Sequence, residues 1–127
     1  MLPVNTTLKI LESAARTATA TSADLDNRFA KGVLITLDVT AAADTPSIVL
    51  SVEVKDEVSG KHETIFTASA AVTGVGTHSY LIYPGAAAAA DDIAQVAGFP
   101  LPKTWRVKVT HADEDSITYS VGGNLII

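Results

Sequence analysis

Residues Lys103 to Ile127, KTWRVKVTHADEDSITYSVGGNLII, decide the fold of this chain. Apolar or aromatic side chains alternate with polar ones in both halves of the stretch: Trp105, Val107, Val109 and His111, then Ile117, Tyr119 and Val121. A period of two predicts a strand with one buried face and one solvated face. Ala112 to Ser116 separates the halves with short Asp and Ser side chains, which favour turns. We therefore expect a β-hairpin that buries Trp105 and turns Arg106 outward.

The same alternation recurs through the middle of the chain. It predicts strands over residues 31–40, 47–55 and 77–83, and a weaker strand over residues 62–71. The expected inward positions are Val33, Ile35, Leu37, Val39, Ile48, Leu50, Val52, Val54, His78, Tyr80 and Ile82. Between the second and the weaker strand, residues 56–61 predict a hairpin turn in which Gly60 takes a positive φ.

These segments predict an all-β chain. No alternation of strands and helices is present, so a parallel sheet is not expected. Short strands separated by turn signals favour an antiparallel β-sandwich of about seven to eight strands, with a closed barrel as the alternative. Only Ala86 to Ala97, with five consecutive alanines, has high helix propensity, and one short helical turn is expected there.

The first 27 residues differ in composition from the rest. A short apolar segment around Leu8 and Ile10 precedes an Ala/Thr-rich tract over residues 14–23. Two interpretations remain open for residues 1–27: a first strand followed by a surface loop, or an extended N-terminal arm that adds to the sheet edge of a partner. Residues 28–127 are expected to form the β-sandwich domain.

Composition and charge exclude several classes of protein. The net charge is −5, from 14 acidic and 9 basic side chains, which argues against direct nucleic-acid binding. No segment approaches the roughly 20 apolar residues that span a membrane, and the N-terminus lacks the pattern of a signal peptide. The chain has no cysteine, which removes disulfides, thiol catalysis and Cys-ligated zinc.

Residues that carry chemistry do not form a recognisable motif. His78 and His111 fall on inward faces, where they could meet as metal ligands, but no metal-binding spacing accompanies them or His62. A partly buried, hydrogen-bonded histidine at a strand end is the commoner arrangement. The acidic run Asp113 to Asp115 lacks the spacing of a calcium loop. We predict no catalytic, cofactor-binding or metal-binding residue, and hence no enzyme.

Several segments together resemble a family of small structural proteins from the virions of tailed bacteriophages. The segments are residues 28–33 (RFAKGV), 54–61 (VKDEVSGK), 83–85 (YPG), 101–107 (LPKTWRV), 111–113 (HAD) and 116–122 (SITYSVG). The resemblance covers roughly residues 14 to 127. It implies a head-associated β-sandwich, most plausibly a decoration or cement protein on the capsid exterior, made in the cytoplasm of the bacterial host.

The resemblance also implies the partners. They would be the major capsid protein or other virion subunits. The chain itself would form a homo-oligomer, and a trimer is expected because it suits a three-fold position of the capsid. No cofactor is implied. The candidate partner contacts are apolar and aromatic side chains of the N-terminal segment and of the loops around Pro84 to Pro102: Leu2, Val4, Leu8, Ile10, Tyr83 and Phe99.

Rival functions remain. The chain could be a tail-tube, head-completion or tail-tip protein of the virion. It could also be a virion-borne carbohydrate-binding β-sandwich, in which Tyr83 and Phe99 would line a groove, since sugar binding calls for exposed aromatic side chains. A flat apolar surface would instead favour docking on a capsid.

Overall fold

Ten β-strands build the part of the chain that the computed structural model describes, residues 5–88 and 94–127. No helix occurs within these residues. The strands are β1 (Thr6–Arg16), β2 (Ala20–Thr21), β3 (Leu25–Asp26), β4 (Gly32–Ala42), β5 (Ile48–Lys55), β6 (His62–Thr67), β7 (Gly76–Ile82), β8 (Gln95–Ala97), β9 (Thr104–His111) and β10 (Ile117–Ile126).

The strands form two sheets of five. Sheet A has the order β1-β10-β4-β7-β8, and sheet B has the order β2-β9-β5-β6, with β3 also paired to β9. All pairs are antiparallel except β7 and β8, which run parallel over three residues. The prediction of an all-β, mostly antiparallel sandwich is confirmed.

The core lies between the inner faces of the two sheets. Its largest fully buried side chains are Trp105, Tyr80, Tyr119, Ile35, Leu37, Ile48, Leu50, Ile82 and Ile117. Nearly all of them occupy positions that the alternating pattern predicts to face inward, because a period of two sends alternate side chains to one face. Trp105 is buried as an apolar side chain, since its indole Nε1 finds no hydrogen-bond partner among the described residues.

The predicted hairpin of β9 and β10 is wrong. β9 pairs with β5 in sheet B, whereas β10 lies between β1 and β4 in sheet A. Residues 112–116 therefore cross from one sheet to the other. The buried faces of β9 and β10 then oppose each other across the core, which satisfies the same alternation that a hairpin would.

The helical turn expected within Ala86 to Ala97 can be compared with the structure only in part. Residues 89–93 lie outside the described part, but Gln95 to Ala97 form strand β8 and pair with Tyr80 to Ile82. The Gln95 side chain accepts a hydrogen bond from the Ser69 backbone N–H at 2.6 Å. The last three residues of the segment are therefore extended rather than helical.

The N-terminal segment joins the sandwich from residue 6 onward. β1 pairs with β10 from Thr6 to Arg16, with register shifts after Lys9 and after Leu11. Ile10 is 8% exposed and belongs to the core. Residues 6–16 therefore follow the first-strand interpretation and form the edge of sheet A, while β2 and β3 continue the segment along β9.

Candidate partner-docking surface

The register of the strands places the ends of seven strands at one end of the sandwich. Thr6 pairs with Leu125, Gly32 with Ile126, and Val33 with Ile82 in sheet A. In sheet B, Trp105 pairs with both Leu25 and Val54 at the same end. The Leu101 backbone N–H donates to the Lys31 carbonyl at 2.9 Å and joins the two sheets there.

Most of the large apolar side chains that remain exposed lie at this end. Phe29 is 72% exposed, Val58 96% and Phe99 44%, and Ile127 follows β10 at the same end. Val75, 70% exposed, precedes β7 and lies at the opposite end. We call the connections at residues 27–31, 56–61 and 98–103 the apolar end.

A buried asparagine shapes the connection that carries Phe29. Asn27 is 7% exposed, and its Nδ2 donates to the carbonyls of Ala30 and Leu101 at 2.8 and 3.0 Å. Its Oδ1 accepts from the Ala30 N–H at 2.9 Å. This side chain closes the turn on itself and ties it to the next connection. Phe29 is thereby held on an ordered turn. Sequence reasoning missed both residues, although an Asn ahead of the strand was a turn signal.

The β5–β6 hairpin presents Val58 in the same manner. The Asp56 carboxylate accepts hydrogen bonds from the backbone N–H groups of Val58 and Ser59 at 3.3 and 3.2 Å. A hydrogen bond from the Ser59 side chain, followed by those from the backbone, lowers the pKa of Asp56 below its usual value. Gly60 has a φ of 74°, as predicted for this turn. The hairpin tip is therefore ordered although Val58 is almost fully exposed.

A polar cluster lies beside the hairpin. Asp24 Oδ1 is 2.8 Å from His62 Nε2, and Asp24 Oδ2 is 3.5 Å from Lys55 Nζ. The hydrogen bond with His62 is the main cause that lowers the pKa of Asp24. The cluster ties the connection between β2 and β3 to strands β5 and β6. It borders a groove of about 460 Å³ that is lined by side chains of both charges, including Lys61 and Glu63.

The histidines do not come together. His78 is exposed rather than buried, although it lies on the same strand as the buried Tyr80 and Ile82. His111 Nε2 instead lies 2.8 Å from the Tyr119 hydroxyl, the hydrogen-bonded strand-end arrangement that was expected as the commoner one. Within residues 5–88 and 94–127, no three His, Asp or Glu side chains form a group that could hold a metal ion.

The predicted partner contacts occupy different environments. Leu2 and Val4 lie outside the described residues. Ile10 is a core residue and Leu8 is half-buried against the core, because β1 is built into sheet A. Tyr83 is half-buried, and its N–H donates to the Ala97 carbonyl at 3.1 Å. Phe99 is exposed, and the structure brings it to the same end as Phe29 and Val58, neither of which the sequence singled out.

Two further observations bear on the predicted classes of protein. No helix in the described part of the chain is long and apolar enough to cross a membrane. A shallow, mainly apolar groove of about 400 Å³ runs along the β1 edge, lined by Leu8, Leu11 and Gly122 among others. Neither this groove nor the 460 Å³ groove is lined by Tyr83 or Phe99.

Comparison with known proteins gives a likeness of fold. No family model and no curated protein matches the chain. Among solved structures, 98% of the chain aligns with a chain from the structure of infectious bursal disease virus, Gx strain, with a TM-score of 0.55 and 10% identity. A chain from the Gt strain of that virus aligns with a TM-score of 0.52 and 11% identity. The chain spans about a third (33%) of the length of these viral chains.

Proposed function

We propose that this chain is a structural component of a virus particle. The observation that carries the proposal is the alignment of 98% of the chain with a chain of a virus structure, with a TM-score of 0.55. At 10% identity the likeness concerns the fold, and a fold hosts many functions. The exposed apolar end adds a reason of its own, because exposed apolar groups on a small domain mark a surface that contacts another protein.

The finer proposal is a decoration or cement protein on the outer head surface of a tailed bacteriophage. The resemblance of residues 14–127 to small virion proteins supports it. The partner would be the major capsid protein. Many weak contacts repeated over a symmetric shell bind durably through avidity, so each copy needs only a small docking surface.

Cryo-electron microscopy of the particle whose genome encodes this chain tests both levels of the proposal. We expect copies of the sandwich on the outer head surface, repeated by the symmetry of the shell. Density in the tail would reject the decoration role and keep the virion role. If mass spectrometry finds no copy of the chain in purified particles, both are rejected.

Adding the purified chain back to heads that lack it tests the cementing role directly. We expect the treated heads to withstand a higher temperature before they release their DNA. The same chain added after irreversible thermal unfolding is the matched control. Heads whose heat resistance does not respond to the folded chain would contradict a cementing role.

A further inference from the structure

We propose that copies of this chain associate with one another through the apolar end, with Phe29, Val58 and Phe99 at the contact. Three separate connections present these side chains, and their exposed fractions are 72%, 96% and 44%. A monomeric domain rarely gathers exposed apolar groups in one region without a partner. Phe is also enriched in the buried centres of protein interfaces.

The charges explain why a second copy is the occupant. Five basic side chains lie at or beside the apolar end: Arg28, Lys31, Lys55, Lys61 and Lys103. Five acidic side chains lie among them: Asp24, Asp26, Asp56, Glu57 and Glu63. These ten charges of the described residues sum to zero, although the whole chain carries −5.

The opposite end is acidic. Among the described residues, the connections of that end carry Asp44, Asp113, Glu114 and Asp115, and Arg16 lies at the adjoining end of strand β1. Two copies that approached through these ends would bring like charges together, which is unfavourable. Through the apolar end, two copies meet without net repulsion, and symmetry lets a basic side chain of one copy face an acidic side chain of the other. A surface with both signs interspersed is complementary to itself.

The apolar end is also ordered before it binds. Asn27 fixes the turn of Phe29 through three hydrogen bonds, and Asp56 fixes the turn of Val58 through two from the backbone. Contacts between ordered turns lose less conformational entropy than contacts between flexible ones. The self-association is argued from these described residues alone and is measured on the purified chain, so its failure can be told from a failure of the proposed virion role.

Analytical ultracentrifugation of the purified chain from about 1 µM to about 1 mM tests the proposal. We expect a mass that rises from 13.2 kDa to a multiple of it. F29S and F99S should each weaken the association by about tenfold or more. V75S is the matched control, since it removes an equally exposed apolar side chain at the opposite end, and it should leave the association unchanged. Unchanged melting temperatures would show that all three variants fold.

A pair of charge variants tests the electrostatic part. K103E changes the sum of these ten charges from 0 to −2, and it should weaken self-association at low salt, with recovery at high salt. K9E makes the same change in total charge on strand β1, outside the three connections of the apolar end, and should have little effect.

A wild-type chain that stays at 13.2 kDa up to about 1 mM would overturn the proposal. The proposal would also be overturned if F29S and V75S weakened self-association equally, or if K103E and K9E did so. If the monomeric chain binds phage heads or lipid vesicles through Phe29 instead, the occupant is a different one and the proposal fails.

Discussion

His111 Nε2 lies 2.8 Å from the Tyr119 hydroxyl and joins the two sheets at the acidic end of the sandwich. His111 ends β9 in sheet B, and Tyr119 belongs to β10 in sheet A. The Arg16 guanidinium stacks on the Tyr119 ring, with its Cζ 4.6 Å from the ring centroid. Three strands, β1, β9 and β10, are therefore connected through one buried tyrosine.

Removal of the Tyr119 hydroxyl should destabilise the chain. Y119F keeps the ring and its stacking but leaves the His111 ring without this partner. We expect a loss of about 1 kcal/mol in the free energy of unfolding, measured by urea titration. H78Q is the control, because His78 is exposed on β7 and should change stability by less than about 0.5 kcal/mol. Equal stabilities of Y119F and wild type would contradict the role of the bridge.

Alkaline pH should destabilise the chain through the same tyrosine. Burial raises the pKa of Tyr119 from 10.0 to about 12, and it raises the pKa of Tyr80 as well. Above about pH 10 the unfolded state releases the proton while the folded state keeps it, so the free energy of unfolding falls as the pH rises towards 12. Denaturation at a series of pH values from 9 to about 11.5 should show this fall, with a smaller slope in Y119F. If the free energy of unfolding fell equally steeply with pH in wild type and in Y119F, Tyr119 would not be the cause of the fall.

Acid should destabilise the chain through His111. Burial lowers the pKa of His111 below 6.5, the Arg16 charge lowers it further, and Asp113 opposes both. Below about pH 6.5 the unfolded state takes up a proton that the folded state resists, so the free energy of unfolding decreases as the pH falls. NMR titration of the imidazole in the folded chain should give a pKa below that of His111 in an unfolded peptide of the same sequence. A His111 pKa at or above 6.5 would contradict the expected direction.

The Arg16 side chain bridges an irregularity in the pairing of β1 with β10, and its removal should lower the free energy of unfolding. Leu11 pairs with Val121 and Ala14 with Tyr119, so β1 has an extra residue here. Arg16 Nη1 donates to the Tyr119 carbonyl at 2.7 Å, and Nη2 donates to the Glu12 carbonyl at 2.6 Å. R16M should lower the free energy of unfolding by about 1–3 kcal/mol and raise the pKa of His111.

The exposed ion pair of Arg28 with Asp26, at 2.7 Å, supplies the control for Arg16. R28M should cost less than about 1 kcal/mol, since exposed ion pairs contribute little. Similar losses in both variants, or a His111 pKa that does not move in R16M, would reject the role given to Arg16.

Trp105 should be among the most sensitive positions of the core. Its side chain is fully buried on β9. W105A should cost about 3–5 kcal/mol, because it leaves a large cavity between the sheets. Thermal unfolding followed by circular dichroism measures the loss, and an unchanged melting temperature would contradict the placement of the indole in the core.

The sequence by itself determined which strands exist and which face of each is buried. Alternation is a local property, and inward positions such as Ile35, Leu50 and Trp105 follow from it without knowledge of any partner strand. The Gly60 turn was equally local. Phe99 could be named as a candidate contact because it is an aromatic side chain in the loops between Pro84 and Pro102.

Only the tertiary structure decided which strands pair and which side chains share a surface. β9 and β10 present the same buried faces whether they form a hairpin or lie in opposite sheets, so the pattern cannot separate the two pairings. His78 has inward periodicity but is exposed in the fold. Phe29, Val58 and Phe99 are far apart in sequence, and the register of both sheets brings them to one end. The exposure of a side chain and its position relative to other side chains depend on the whole fold, so a local sequence pattern cannot predict them.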